Sequence, residues 1–200
     1  MKRSRQLFVV RRGLDPTAWT ALHTLRETHS EWTVDAVARA ELWEFESAAS
    51  PAAAPVLPLE RWVESANWFA NPTRDRLLWR QPGEDPPPLG AHAVHEDGRV
   101  GATNPGGHLL VAWREGLEAP EHTALARQAL AESVTIRRGT VWWLTSGADP
   151  SRTAAAGESA GGGLLANPES QWYRWLGAAL PIPLLGHGIE TMTPVAKGAS

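Results

Sequence analysis

Cysteine is missing from this sequence altogether, which excludes a disulfide framework, thiolate metal sites and cysteine nucleophiles together. Excess positive charge is missing too. Nineteen Lys and Arg against 22 Asp and Glu leave a formal charge of −3, so no basic field exists to draw in nucleic acid. Long apolar runs are also scarce. Leu7 to Val10 gives only four apolar residues before Arg11, too few for a signal core or a membrane span, and the expectation is a cytoplasmic protein without a membrane partner. Lysine occurs twice against seventeen Arg, and one Tyr and three Phe stand against eleven Trp. Large side chains filling a small core account for the Trp, since most fall where periodicity predicts burial; an interface rich in Trp and Arg is the alternative.

What is present is a repeat. Phe69 to Trp79 reads F-A-N-P-T-R-D-R-L-L-W and Leu165 to Trp175 reads L-A-N-P-E-S-Q-W-Y-R-W. Asn71 and Asn167 are 96 residues apart, as are Trp79 and Trp175, and self-similarity at a fixed offset is the signature of a repeated unit. Pro72 and Pro168 turn the preceding Asn away from helix, so each copy predicts a helix that stops at the Asn and a strand that leaves after it.

Taken in order, the chain predicts a strand over Gln6–Arg12 and then a helix opened by Asp15 and Pro16, with Ala18, Trp19, Leu22 and Leu25 on its buried face. Strands follow over Val34–Arg39 and Glu41–Glu46, the second alternating Trp43 and Phe45 on a buried face with Glu44 and Glu46 on a wet one. A Pro/Ala loop leads to a helix from Leu59 carrying Trp62, Val63, Ala66 and Phe69. The stretch from Gln81 to Gly107, with P-G-E-D-P-P-P, reads as a linker. From His108 the pattern recurs: a strand, a helix over Glu118–Leu130, two paired strands with Trp142 and Leu144 in the places of Trp43 and Phe45, and a helix opened by Asp149-Pro150. The second copy starts at an offset of 103 and ends at 96, and the Pro/Ala loop is the natural place for the seven missing residues.

Candidate chemistry is sparse. His23 and His29 fall off the helical stripe and read as surface residues. His92, His95 and His108 lack a further ligand set of suitable spacing, so no metal or cofactor is expected. Gly157 and Gly161 to Gly163 invite comparison with a phosphate loop, but the P-loop Lys and Ser/Thr are missing and the glycines end a helix instead of preceding one. Close packing of residues without side chains is the better reading. Asp15 and Glu118 have a sufficient role in starting helices. Arg11, Arg12, Trp113 and Arg114 are placed where a groove between the two copies would form a pocket.

With G-L-D-P at Gly13–Pro16, F-A-N-P at Phe69–Pro72 and L-L-A-N-P at Leu164–Pro168, the chain resembles a tandem duplication of PurS, the small subunit of phosphoribosylformylglycinamidine synthase. The resemblance implies an α+β fold of two PurS-like βαββαβ units related by a pseudo-twofold axis. Its divisions are residues 1–80, a linker 81–107, residues 108–177 and a C-terminal tail 178–200. In that family the subunit is not itself the catalyst, so no catalytic residue is implied. Asp15, Pro16, Asn71, Pro72, Trp79, Asn167, Pro168 and Trp175 are motif positions of a structural kind. The implied function is to bridge the synthetase and glutaminase subunits in purine biosynthesis, as a monomer or dimer of the tandem chain. The alternative is a fold diverted to a small molecule, or to another enzymatic activity, at the groove between halves.

Overall fold

A computed structural model describes residues 2–28, 30–48, 59–101, 105–113, 120–130, 134–147, 149–167, 170–180 and 193–194. The elements run β1 (Lys2–Arg11), α1 (Pro16–Thr28), β2 (Ala36–Ala48), α2 (Leu59–Ala66), β3 (Asp75–Arg80), β4 (Val94–His95), β5 (Gly107–Trp113), α3 (Pro120–Ala129), β6 (Val134–Thr145), α4 (Pro150–Gly161), β7 (Gln171–Gly177) and β8 (Thr193–Pro194). They form a mixed α+β structure with one antiparallel sheet in the order β3-β1-β2-β6-β5-β7-β8, and β4 beside β2. Read inward from β3 or from β7, the strands come third, first and second in chain order and meet at the β2–β6 pair.

The two predicted strands over residues 34–46 are one. Backbone pairing with β6 runs unbroken from Ala36–Thr145 to Ser47–Val134, so Ala40 and Glu41 continue the ladder instead of turning it. The same holds for β6, and each half therefore supplies three long strands, not the four expected. Charged Arg39 and Glu41 read as an interruption in sequence, but in the sheet they occupy one face while Ala38 and Ala40 occupy the other.

Registers also correct the repeat's arithmetic. Leu7 lies opposite Trp79 and Leu109 opposite Trp175, which places Leu109 in the position of Leu7 at an offset of 102. The expected 103 would turn every side chain of the strand to the wrong face. Trp43 lies opposite Leu7 and Trp142 opposite Leu109, an offset of 99. Offsets of 102, 99 and 96 for the three strands mean that the shortening falls equally on two connections and not on the Pro/Ala loop alone.

Apolar residues on one face of the sheet meet the helices in two clusters. Leu7, Val9, Trp43, Phe45 and Ile136 share one with Trp62 and Val63 of α2 and Ala126 and Leu130 of α3. Leu109, Val111, Trp142 and Leu144 share the other with Ala156 and Ala160 of α4 and Ala18, Leu22 and Leu25 of α1. The first and third helices thus each join a cluster built mainly from the other half. Trp19, expected in the core, is 39% exposed and stacks edge-on against His23 at 4.3 Å between centroids.

The second face of the sheet is covered by what the sequence suggested was linker and tail. Leu89 and Ala93 pack over Phe8, Ala38, Ala40, Leu42 and Val141, together with Leu180. β4 pairs with the end of β2 beyond the point where β1 stops. Arg80, buried on this face, donates from its guanidinium to Gln6 Oε1 at 3.2 Å, to the Glu84 carbonyl at 3.1 Å and to the Leu180 carbonyl. Burial lowers its pKa, opposed by Asp85 and Glu84. β8 pairs with β7 at Tyr173 and Trp172, so part of the expected tail belongs to the sheet.

Candidate binding cleft

Construction of the site starts at the repeated Asn-Pro turn. α2 ends at Ala66, and Asn67 follows with a positive φ of 51°. The helix therefore stops before Asn71, not at it, and α4 likewise ends at Gly161 before Asn167. The hydrogen bonds that flank the Asn-Pro pair match in the two places. The Asn71 carbonyl accepts from the amides of Arg74 and Asp75, and the Asp75 side chain accepts from the Asn71 amide at 2.9 Å. The Asn167 carbonyl accepts from the amides of Ser170 and Gln171, and the Gln171 side chain accepts from the Asn167 amide at 2.7 Å. Asp75 and Gln171 are 96 residues apart, as the Asn residues are, so an acceptor four residues on closes each turn.

In the first copy this turn opens onto a cleft of about 300 Å³ on the helix face of the sheet. Its charged lining consists of Arg11, Arg39 and Arg74 facing Asp15, Glu41 and Asp75. Asp75 is only 8% exposed in its side chain and is held by Arg11 Nη1 at 3.3 Å and by Arg74 Nε at 3.3 Å. Asp15 caps α1 by accepting from the Thr17 amide at 2.9 Å, with Pro16 opening the helix behind it. Exposed Trp68 and buried Phe69 form part of the apolar side.

At the centre of the floor stands Glu41, paired across the sheet with Thr140. Arg39 reaches Glu41 Oε1 at 3.7 Å and Arg138 reaches Oε2 at 3.3 Å. Each Arg also lies over a Trp, Arg39 over Trp142 at 5.9 Å and Arg138 over Trp43 at 5.0 Å to the ring centroid. Arg39 and Arg138 share the 99-residue offset of Trp43 and Trp142, so the arrangement is the same on both sides of Glu41. Contact with a ring face holds a guanidinium in place without using its N–H donors. Among the described residues the Arg39 guanidinium makes no hydrogen bond, its one ion-pair partner lying beyond hydrogen-bond distance.

Of the groove residues expected from sequence, Arg11 lines this cleft. Arg12 turns outward and donates from Nε to the Asp75 carbonyl at 2.8 Å. Trp113 takes the place of Arg11 in the other half and is 48% exposed. Arg114 and Glu118 lie outside the described residues, as do Pro168 and His29. Trp79 and Trp175 both face the helices, the first against Phe45 at 5.6 Å and the second beneath Gly157. Arg39, Glu41 and Arg138 were missed because charged residues in a strand read as its wet face. The missed signal was two Arg-x-x-x-Trp spacings, Arg39 to Trp43 and Arg138 to Trp142.

The histidines do not converge. His95 Nε2 is 2.7 Å from the Gly101 carbonyl and His108 Nδ1 is 3.0 Å from that of Gly177. Burial lowers the pKa of His108, partly offset by the Gly177 carbonyl and reinforced by Arg80; burial also lowers that of His92 and of His122, with Arg76 and Arg138 adding to it respectively. Among the described residues no group of three His, Asp or Glu side chains is placed to hold a metal ion, and no helix is long and apolar enough to cross a membrane. Comparison of the chain with protein-family models, with curated proteins and with solved structures gives no match.

Proposed function

We propose that the chain is two PurS-like units joined in one polypeptide about a pseudo-twofold axis through the Glu41–Thr140 pair. On this reading it bridges the synthetase and glutaminase subunits of phosphoribosylformylglycinamidine synthase without catalysing a step itself. The observation that carries the reading is the agreement of the two Asn-Pro turns in the three hydrogen bonds that close each of them, at one offset with the strands they feed. Sharing of α1 and α3 between clusters gives further support, because a unit that lends its helix to its neighbour is half of a dimer made covalent.

The reading is tested by mixing the purified chain with the two enzyme subunits. Glutamine-dependent turnover should rise while turnover with free ammonium stays nearly unchanged, because bridging matters only when ammonia must pass between proteins. If neither subunit is retained by the immobilised chain at low salt, the bridging reading fails.

A second reading is favoured by the cleft. A covalent dimer is free to differ between its halves, and here one Asn-Pro turn carries Asp75 and an Arg-lined cleft where the other carries Gln171. On this reading the fold has been diverted to hold a small molecule in the groove.

A further inference from the structure

We propose that the cleft is a binding site for a small zwitterion of the α-amino acid class, its carboxylate received by Arg39 and its ammonium held by the carboxylates of Glu41 and Asp15. The proposal rests on the small-molecule reading above and names the ligand chemistry.

Three observations lead there. Arg39 is a half-buried guanidinium, 28% exposed in its side chain, held over Trp142 with its donor edge unengaged among the described residues. A planar fork fixed in this way is suited to a carboxylate, which accepts two parallel N–H bonds at once. Its contact with Glu41 at 3.7 Å is looser than a hydrogen bond, so an incoming carboxylate displaces little. Once Arg39 is engaged by the ligand, Glu41 Oε1 is released to accept from an ammonium, while Arg138 still holds Oε2 at 3.3 Å.

Charge balance then selects the class. The lining sets three Arg against three carboxylates within about 300 Å³, at the small end of ligand pockets. A phosphate dianion in this space would face Asp15, Glu41 and Asp75 with no cation to spare beyond Arg138, which Glu41 already engages, and a simple amine would face three guanidiniums. A molecule carrying both charges a few bonds apart satisfies both walls and adds no net charge. Asp75 is not counted as a ligand group, because Arg11, Arg74 and the Asn71 amide already use its oxygens.

The test is calorimetric titration of the full chain with each of the twenty α-amino acids singly, and with acetate, methylammonium and inorganic phosphate as probes carrying charge of one sign only. The expected result is saturable binding of one or a few amino acids, with the one-sign probes at least about tenfold weaker, a factor corresponding to loss of one charge-assisted contact. Arg39→Met, which keeps contact with Trp142, and Glu41→Gln should each weaken binding by about tenfold or more, with the thermal midpoint measured alongside. As a readout in the unmutated chain, the Arg39 Nε–H resonance should shift on titration. Phosphate or acetate binding as well as the best amino acid, with the same Arg39 dependence, overturns the zwitterion class and leaves the small-molecule reading standing. Absence of any binding at millimolar probe, or binding that moves neither the Arg39 resonance nor the affinity of Arg39→Met, overturns the proposal and removes the support the cleft lends to that reading.

Discussion

The helix that follows β2 and the helix that follows β6 solve one packing problem in opposite ways. α2 brings its own bulk, burying Trp62 and Val63 among Leu7, Trp43, Phe45 and Phe69. α4 brings almost none: its buried residues are Thr153, Ala156, Gly157, Ala160 and Gly161, and the volume comes from Tyr173 and Trp175 of β7 beneath it. A β-carbon on Gly157 would stand 2.2 Å from the Trp175 ring, and one on Gly161 would stand 2.4 Å from that of Tyr173. Filling a fixed space between helix and sheet constrains total volume, not which element supplies it, so two interfaces of similar geometry can be filled from opposite sides. One is vulnerable to lost carbon on the helix and the other to added carbon.

The largest effect should come from emptying the first interface. Trp62→Ala removes a buried indole in contact range of Trp68 and Phe69 and should cost about 3–5 kcal/mol in urea unfolding. A loss under 1 kcal/mol would mean that α2 is not held by its Trp, and the contrast drawn between the interfaces would collapse.

Overfilling the second comes next. Gly157→Ala should destabilise by about 1–3 kcal/mol, despite the gain of up to about 1 kcal/mol that Ala brings to a helix interior. Combining it with Trp175→Leu should recover part of that loss relative to the sum of the single changes, since the clash is with the ring itself. Strict additivity in the double mutant would show that Gly157 is there for some reason other than Trp175.

A smaller effect is expected at the start of α1. Asp15→Ala removes the acceptor for the Thr17 amide and should lower stability by about 0.5–2 kcal/mol. Asp15→Asn should restore most of it, and equal loss in both variants would assign the effect to charge in the cleft instead of to capping.

The smallest effect concerns pH. His108 is buried on the face covered by Leu180, and its pKa is lowered from 6.5 chiefly by that burial. The unfolded chain therefore takes up a proton before the folded one does. Stability should be fully expressed above about pH 6.5 and fall as the pH drops below it, a slope that His108→Asn should flatten in denaturation series at successive pH values. His92 and His122 are shifted in the same direction, so a residual slope is expected. A slope unchanged by the substitution would assign the acid sensitivity elsewhere.

How much of this was written in the chain depends on the range of the interaction. The helix opened by Asp15 and Pro16, the buried face of Trp43 and Phe45, and the paired Asn-Pro turns depend on neighbours a few residues away, and sequence reading reached them; Glu44, read as facing water, is instead fully buried beside Gln6. The continuity of β2 through Arg39 and Glu41 did not show, because the reason for it is Arg138 and Thr140 on another strand. Leu89 and Leu180 lie in proline- and glycine-rich segments without periodicity, and only the exposed second face of the sheet explains their burial. Of the glycines read as packing residues, Gly157 and Gly161 lie tight against the rings of Trp175 and Tyr173 on a strand, whereas a β-carbon on Gly163 would meet nothing within 4 Å. Of the cleft, Arg11 was singled out, while its central group depends on a cross-strand register that no local pattern encodes.

The lending of α1 to the far cluster has a consequence for synthesis on the ribosome. When residues 1–80 have emerged, Ala18, Leu22 and Leu25 have Val34 and Val37 of their own half to rest on, but Leu109, Val111, Trp142, Leu144, Ala156 and Ala160 of the same cluster have yet to be made. The nascent first half thus carries a partly covered apolar helix through nearly half of translation, and a stall anywhere before β6 leaves the rest of that surface exposed to holdase chaperones. Folding of the amino-terminal segment is gated by the arrival of the carboxy-terminal one, so a protease pulse during synchronised translation should clip the α1 region until residues beyond 160 have left the exit tunnel.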